Sequence, residues 1–214
     1  MNLKTAYEDY NRFKETEDYD PEKEGTFSRR LAWFCRNLSG GEKVLDYGCG
    51  EGVVLNGLTA RKNLSGDSCG VDLSVDAVKK AQARFPSLTF HPLDESGGIP
   101  FPGNHFDAIV ATEVIEHVFD TDQVFSEFRR VLKPRGKLLL TCPYHGFLKD
   151  LTMLLTGKIE AHYRDPYSFH IRHYSFGSLE GVLRKHGFTI LQMGGVGRAP
   201  FLWKSLTACA EKNS

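Results

Sequence analysis

Hydrophobic positions follow two rhythms that alternate along the chain. Phe27, Leu31, Phe34, Cys35 and Leu38 recur at helical spacing, and Gly40-Gly41 stops that helix. The short apolar run from Lys43 to Tyr47 predicts a strand that enters a glycine-rich turn, with a helix over Val53 to Arg61 behind it. Cys69 to Leu73 reads as a second strand. Ser74 is a good N-cap for a helix that lasts to Phe85, where Pro86 ends it. Leu88 to His91 is a short third strand. Phe106 to Thr112 is apolar without interruption, as a buried parallel strand is. Asp122 to Leu132 is amphipathic, with Val124, Phe125, Phe128, Val131 and Leu132 on one side. Lys133-Pro134-Arg135-Gly136 then reads as a turn and Lys137 to Cys142 as another buried strand.

Strand and helix in strict alternation predict an α/β fold, a doubly wound and mostly parallel sheet with helices on both faces. Ligands of such sheets bind beyond the carboxyl ends of the strands, so the residues just after each strand matter most. The rhythm breaks after Cys142. Residues 143–174 are long for a connection and are expected to form an insert on the substrate side. The insert carries an apolar stripe, Phe147, Leu148, Leu151, Leu154 and Leu155. Its ordinary reading is a helix packed as a lid. A contact surface for an apolar, lipid-linked or membrane-presented substrate is the other. Ser175 caps a further helix that Gly187 terminates. Phe188 to Met193 and Leu202 to Ala210 predict two strands that finish the sheet in antiparallel fashion.

Residues 27–214 thus read as one domain, preceded by an arm over residues 1–26. In residues 8–24 the arm holds eight acids (Glu8, Asp9, Glu15, Glu17, Asp18, Asp20, Glu22, Glu24) against Arg12, Lys14 and Lys23. Tyr7, Tyr10, Phe13 and Tyr19 are interleaved, which suits either a solvated arm or a flap that closes over a ligand. The polar, acidic start is unlike a signal or transit peptide. At 214 residues the chain can bury roughly 70% of its unfolded surface without staples. Lys plus Arg and Asp plus Glu are each 27, a formal net charge of zero, which argues against a dedicated nucleic-acid binder. No stretch reaches the length of a transmembrane segment. Five cysteines, none in a C-x-x-C pair, fit buried free thiols and a cytoplasmic location rather than disulfides or a cysteine zinc site.

The chemistry gathers at strand ends. Val44-Leu45-Asp46-Tyr47-Gly48-Cys49-Gly50-Glu51-Gly52 joins the first strand to its helix. Its glycines let a ligand approach the backbone, and the helix N-terminus offers N–H donors. The dinucleotide pattern G-x-G-x-x-G wants glycine where Val53 stands, which disfavours a nicotinamide oxidoreductase. Asp72 ends the second strand, where a carboxylate can accept both ribose hydroxyls of an adenosine, and Asp94 follows the third strand within reach of an adenine amino group. Each also has a plain structural role open to it, as a helix-capping acid and a turn aspartate.

These motifs, with G-V-D-L-S, P-F-P-G-N-H-F-D-A-I-V-A-T-E-V-I-E-H-V and L-K-P-R-G-K-L-L-L-T-C-P after them, resemble the class I S-adenosylmethionine-dependent methyltransferases from about Phe27 to Phe188. Among these the sequence is similar to the bacterial and archaeal small-molecule type, such as the ubiquinone-pathway O-methyltransferases. The resemblance implies a seven-stranded sheet with the last strand antiparallel and S-adenosyl-L-methionine as co-substrate. By position it implies a cofactor site of Asp46, Tyr47, Gly48, Cys49, Gly50, Asp72, Leu73, Leu93, Asp94, Thr112 and Glu113. Asp46 and the glycines would face the methionine portion, Asp72 the ribose, Leu93 and Asp94 the adenine.

A sulfonium methyl is already activated, so the protein must align the acceptor and exclude water. A base is needed only where the nucleophile carries a proton that does not leave freely. Glu113, Glu116 and His117 follow the fourth strand, and i, i+3, i+4 spacing puts them on one face of a helical turn. His145 follows the fifth strand, and His170 and His173 lie in the insert. Glu113, His117 and His145 are therefore the candidate catalytic residues. The same E-x-x-E-H arrangement resembles that of metal-using O-methyltransferases, in which Glu113, Glu116, His117 and His170 would hold magnesium or manganese. Our expectation is transfer to a small-molecule hydroxyl without a metal. The alternatives are a metal-dependent RNA 2′-O-methyltransferase and a non-catalytic S-adenosylmethionine-binding protein. The identity of the acceptor and the oligomeric state are not written in the sequence.

Overall fold

The computed structural model describes residues 25–94, 97–163 and 170–213, so most of the acidic arm lies outside the described residues. Along the chain run α1 (Phe27–Asn37), β1 (Val44–Tyr47), α2 (Val53–Lys62), β2 (Cys69–Asp72), α3 (Val75–Arg84), β3 (Thr89–Pro92) and β4 (Phe106–Thr112). Then follow α4 (Thr121–Val131), β5 (Leu132–Pro143), α5 (Phe147–Leu155), α6 (Ile159–Tyr163), α7 (Phe176–Lys185), β6 (Phe188–Val196) and β7 (Ser205–Lys212).

The strands form one seven-stranded sheet in the order β3-β2-β1-β4-β5-β7-β6. β1 to β5 pair in parallel, and β7 runs antiparallel to both β5 and β6. From β1 the chain winds outward to β3 and then returns to the other side of β1 as β4. That reversal leaves a crevice at the carboxyl ends of β1 and β4, where ligands of such sheets bind.

Alternation along the strands builds two cores. Leu45, Tyr47, Ile109, Ala111, Leu138 and Leu140 face a layer closed by Phe125 and Phe128 of α4 and by Leu179 and Leu183 of α7. Val44, Ala108, Val110 and Leu139 face the opposite layer, closed by Leu31 and Phe34 of α1, Leu55 and Leu58 of α2, and Val78 and Ala81 of α3. Each of the larger of these side chains, the Val, Leu, Ile and Phe, contributes on the order of 1.5–3 kcal/mol by leaving water. The expected caps form: Ser74 accepts from the Ala77 amide at 3.2 Å and Ser175 from the Ser178 amide at 3.3 Å.

Three expectations need correction. The predicted turn Lys133–Gly136 is a bulge within one continuous β5: pairing passes from Phe106↔Leu132 directly to Ala108↔Lys137. Arg135 takes the left-handed φ of 62° that lets the intervening residues loop out. The last strand begins at Ser205, not Leu202. The apolar stripe of the insert is not packed inward. Phe147 is 84% and Leu155 77% exposed, while α5 buries Lys149 and Met153 instead. No described helix is long and apolar enough to cross a membrane.

Candidate active site

β1 delivers the chain into a turn whose glycines have separate jobs. Gly48, Gly50 and Gly52 all take positive φ, 73°, 51° and 79°. A Cβ at Gly48 would collide with Val114 Cγ2, and one at Gly52 would meet the Phe90 ring at 2.6 Å. A Cβ at Gly50 would meet nothing within 4 Å. The outer glycines allow close packing, and the middle one presents bare backbone to open space. Gly52 is the N-cap of α2, so the first amides of that helix lie beside the turn.

Two buried carboxylates flank this cradle. Asp46 caps α2 by accepting from the Leu55 amide at 3.2 Å. Burial, with the neighbouring Asp72 charge, raises its pKa to about 7 against the opposing pull of that hydrogen bond. Asp72 accepts from the Gly50 amide through Oδ2 and from the Ser74 amide through Oδ1, each at 2.8 Å. Burial raises its pKa as well, against the opposing pull of those amides. Two close carboxylates in a dry site are relieved by a cation. S-adenosylmethionine carries a sulfonium and an ammonium, so donor set and open cradle both fit it.

The other residues assigned to the cofactor spread around this turn. Tyr47 turns its ring into the core, 4.8 Å from Phe128 and edge-on to it. Cys49 is buried, and desolvation raises its thiol pKa well above the ordinary value. Leu73 packs on the core, and the Leu93 amide donates to the Asp72 carbonyl at 2.8 Å. Asp94 is exposed and accepts from the Gly98 amide at 3.0 Å, the turn role open to it. The Thr112 hydroxyl is buried at the end of β4, with no hydrogen-bond partner among the described residues.

Beyond Thr112 the predicted helical turn is a non-helical turn, and Glu113 takes φ 54°. The Glu113 carboxylate is not among the ligating atoms that gather with Glu116 and His117. Glu113 Oε2 lies 3.4 Å from Arg30 Nη1, and the same nitrogen donates to Ser205 Oγ at 3.3 Å. Arg30 sits on the buried side of α1 between Phe27 and Leu31. Glu113, Arg30 and His170 line a cavity of about 580 Å³ together with Pro143, Lys149, Met153, Lys158, Arg198, Lys204 and Ser205.

Glu116, His117 and His170 do come together: one ligating atom of each lies within 4.8 Å of the others. Backbone bonds make the meeting. The amides of Ile171 and Arg172 donate to the Glu116 carbonyl at 3.0 and 3.1 Å, and the Arg172 guanidinium donates to the carbonyls of Val118 and Phe119. This lays the His170 ring 4.9 Å from that of His117, with buried Glu116 behind. One carboxylate and two imidazoles could serve a divalent ion or a relayed proton. Glu113 belongs to the cavity wall and not to this cluster.

His145 is engaged elsewhere. Tyr163 donates its one hydroxyl proton to Asp150 Oδ1 at 2.9 Å. The 2.7 Å contact between His145 Nδ1 and that hydroxyl therefore has the ring N–H as donor. Nε2 is then left to accept from His173 Nδ1 at 3.3 Å. His145, Tyr163, Asp150 and His173 latch the start of the insert and its two helices to the insert's last residues before α7.

A family model for a methyltransferase domain matches residues 19–193. The chain belongs to this family. That places it among the class I S-adenosylmethionine-dependent methyltransferases. Phosphoethanolamine N-methyltransferase 3 of Arabidopsis thaliana is 36% identical over 109 residues, 49% of this chain and 22% of that one. A ubiquinone/menaquinone biosynthesis C-methyltransferase of Chromobacterium violaceum is 26% identical over 141 residues, 60% of this chain and 58% of that one. The methyltransferase thus spans only part of the length of these curated relatives. A methyltransferase solved in complex with the Trm112 activator of Haloferax volcanii superposes with a TM-score of 0.73 at 20% identity, covering 100% of this chain and 99% of that one. At that identity the likeness concerns the fold.

Proposed function

We propose that this methyltransferase moves the methyl group of S-adenosylmethionine to a hydroxyl of a small-molecule acceptor seated in the cavity beside Glu113. The observation that carries this reading is the continuity of the sites. The glycine turn leaves β1 beside the end of β4, where Tyr47 pairs with Ala111 and Val114 lies against Gly48, and Glu113 between them is a wall of the 580 Å³ cavity. A concave space of that size suits one small molecule.

The sulfonium supplies an activated methyl: the acceptor oxygen's lone pair forms the new C–O bond while the C–S pair returns to sulfur, leaving S-adenosylhomocysteine and a proton to be removed. In this reading Asp46 and Asp72 hold the cationic donor and its ribose, with the backbone of Gly48 and Gly50 against it. His170, on the cavity wall, takes the proton, and His117 with buried Glu116 stands behind as its relay. Glu113 and Arg30 fix the junction between donor and acceptor. His145 positions the insert. No metal is required, because the leaving group already carries its charge.

A panel of hydroxylated acceptors, scored by S-adenosylhomocysteine release, tests this. His170→Ala should lower kcat about 100-fold or more with donor affinity unchanged. Equal turnover by the variant on the best acceptor would remove the hydroxyl-and-base reading. The Glu116, His117 and His170 cluster also favours a second reading, in which these groups bind a divalent ion that orients the acceptor.

A further inference from the structure

The acceptor cavity is strongly cationic in a chain whose formal net charge is zero. Arg30, Lys149, Lys158, Arg198 and Lys204 line it, and among the described residues Glu113 is the one carboxylate on its wall. Two of these cations, Arg30 and Lys149, are buried at 6% and 5% exposure. Burying an ammonium costs several kcal/mol unless it is well paired.

α5 meets that cost in an unusual way. It turns Phe147, Leu154 and Leu155 to solvent and Lys149 inward, the reverse of what packing alone would select. Lys149 Nζ donates to the Tyr144 carbonyl at 2.6 Å, which holds the charge at the cavity wall. Burial, and then the neighbouring Arg198 charge, lower its pKa against the pull of Asp150 and Glu113, so the charged form of Lys149 is disfavoured where it stands. An anion would relieve that strain.

We infer that the acceptor carries a phosphate group, held in this cavity by Lys149 and Arg198 with Lys158 and Lys204 around them, while its hydroxyl is presented towards Glu113 and His170. The inference rests on the methyltransferase reading of the same site. Several cations around one small space match a doubly charged phosphomonoester better than a single carboxylate. The concave shape favours a small molecule over a nucleic acid, which would need a basic surface rather than a basic pocket.

Calorimetric titration of the whole protein, saturated with S-adenosylhomocysteine, tests it with three probes: glycerol phosphate, phosphatidylcholine vesicles containing phosphatidic acid, and a single-stranded oligonucleotide. Glycerol phosphate should bind, lose about tenfold in affinity in Lys149→Met and again in Arg198→Gln, and weaken with added salt. Binding of the phosphatidic acid vesicles alone, lost in the same variants, would support the inference with a lipid as the source of the phosphate. Arg198 is exposed, so its variant stays informative should Lys149→Met fail to fold. Affinity for glycerol phosphate that is absent, or unchanged in Arg198→Gln, with no variant-sensitive vesicle binding, overturns it. So does tighter binding of the oligonucleotide at the same residues. S-adenosylhomocysteine binding, measured first, separates the outcomes: its loss refutes the methyltransferase site, its presence confines any failure to the phosphate.

Discussion

The Asp72 carboxylate holds the Gly50 amide at 2.8 Å, so the acid that ends β2 fixes the turn that follows β1. Its second oxygen binds the Ser74 amide. One side chain thereby ties together the glycine turn and the start of α3, and in the proposed reading it would hold the ribose through the acceptor capacity those amides leave.

Asp72→Ala should therefore fail twice. Loss of the ribose contacts weakens S-adenosylhomocysteine by about tenfold or more, since charge-assisted bonds are worth roughly 1.5–3 kcal/mol. Two amides left without their acceptor also lower the unfolding midpoint. Calorimetry and thermal melts on the same sample check both. Unchanged affinity would remove Asp72 from the ribose site.

Asp46 gives a pH signature. Its pKa is about 7 in the fold against an ordinary 3.8, so between those values the fold keeps a proton that the unfolded chain has released. Its contribution to stability is present below the lower value and is lost as pH rises to about 7. A bound ammonium favours the ionised form, so affinity for S-adenosylhomocysteine should rise over the same window. Asp46→Asn should flatten both profiles. An affinity that is level from pH 6 to pH 8 in the wild type would contradict the assignment.

The metal question separates the two readings of Glu116, His117 and His170. Methyl transfer should survive EDTA. Loss of activity with chelator, recovery with magnesium or manganese, and the same loss in Glu116→Ala and His117→Ala at unchanged donor affinity would establish the second reading.

The latch predicts a looser insert. Tyr163→Phe removes the hydroxyl shared by His145 and Asp150, and should raise the acceptor KM several-fold with donor affinity unchanged. Hydrogen exchange should quicken in α5. No change in either would reduce the four-residue chain to a surface contact.

Local patterns made the sheet, its helices and the glycine turn readable from sequence. Buried runs such as Phe106 to Thr112 and caps such as Ser74 and Ser175 depend on neighbours a few residues away. The cavity was not readable, because Arg30, Lys149, Arg198 and Lys204 are scattered over α1, α5 and the approach to β7. A trace existed in two of them: Arg30 interrupts the apolar face of α1, and Lys149 stands inside the leucine-rich insert. Helical spacing misled at Glu113, where one left-handed residue broke the assumed turn. In α5 the apolar stripe left two readings open, and periodicity alone did not choose between a packed lid and the outward face that the structure shows.

The central claim is that the turn at Gly50 receives S-adenosylmethionine. The most direct measurement is calorimetric titration of S-adenosylhomocysteine into the wild type and Gly50→Val. The substituted side chain would enter the open space above the turn, at a φ of 51° that valine tolerates poorly. The account predicts a dissociation constant on the order of micromolar for the wild type, and no measurable binding for a variant that retains the circular dichroism of the fold. Wild-type affinity in a folded Gly50→Val would contradict it.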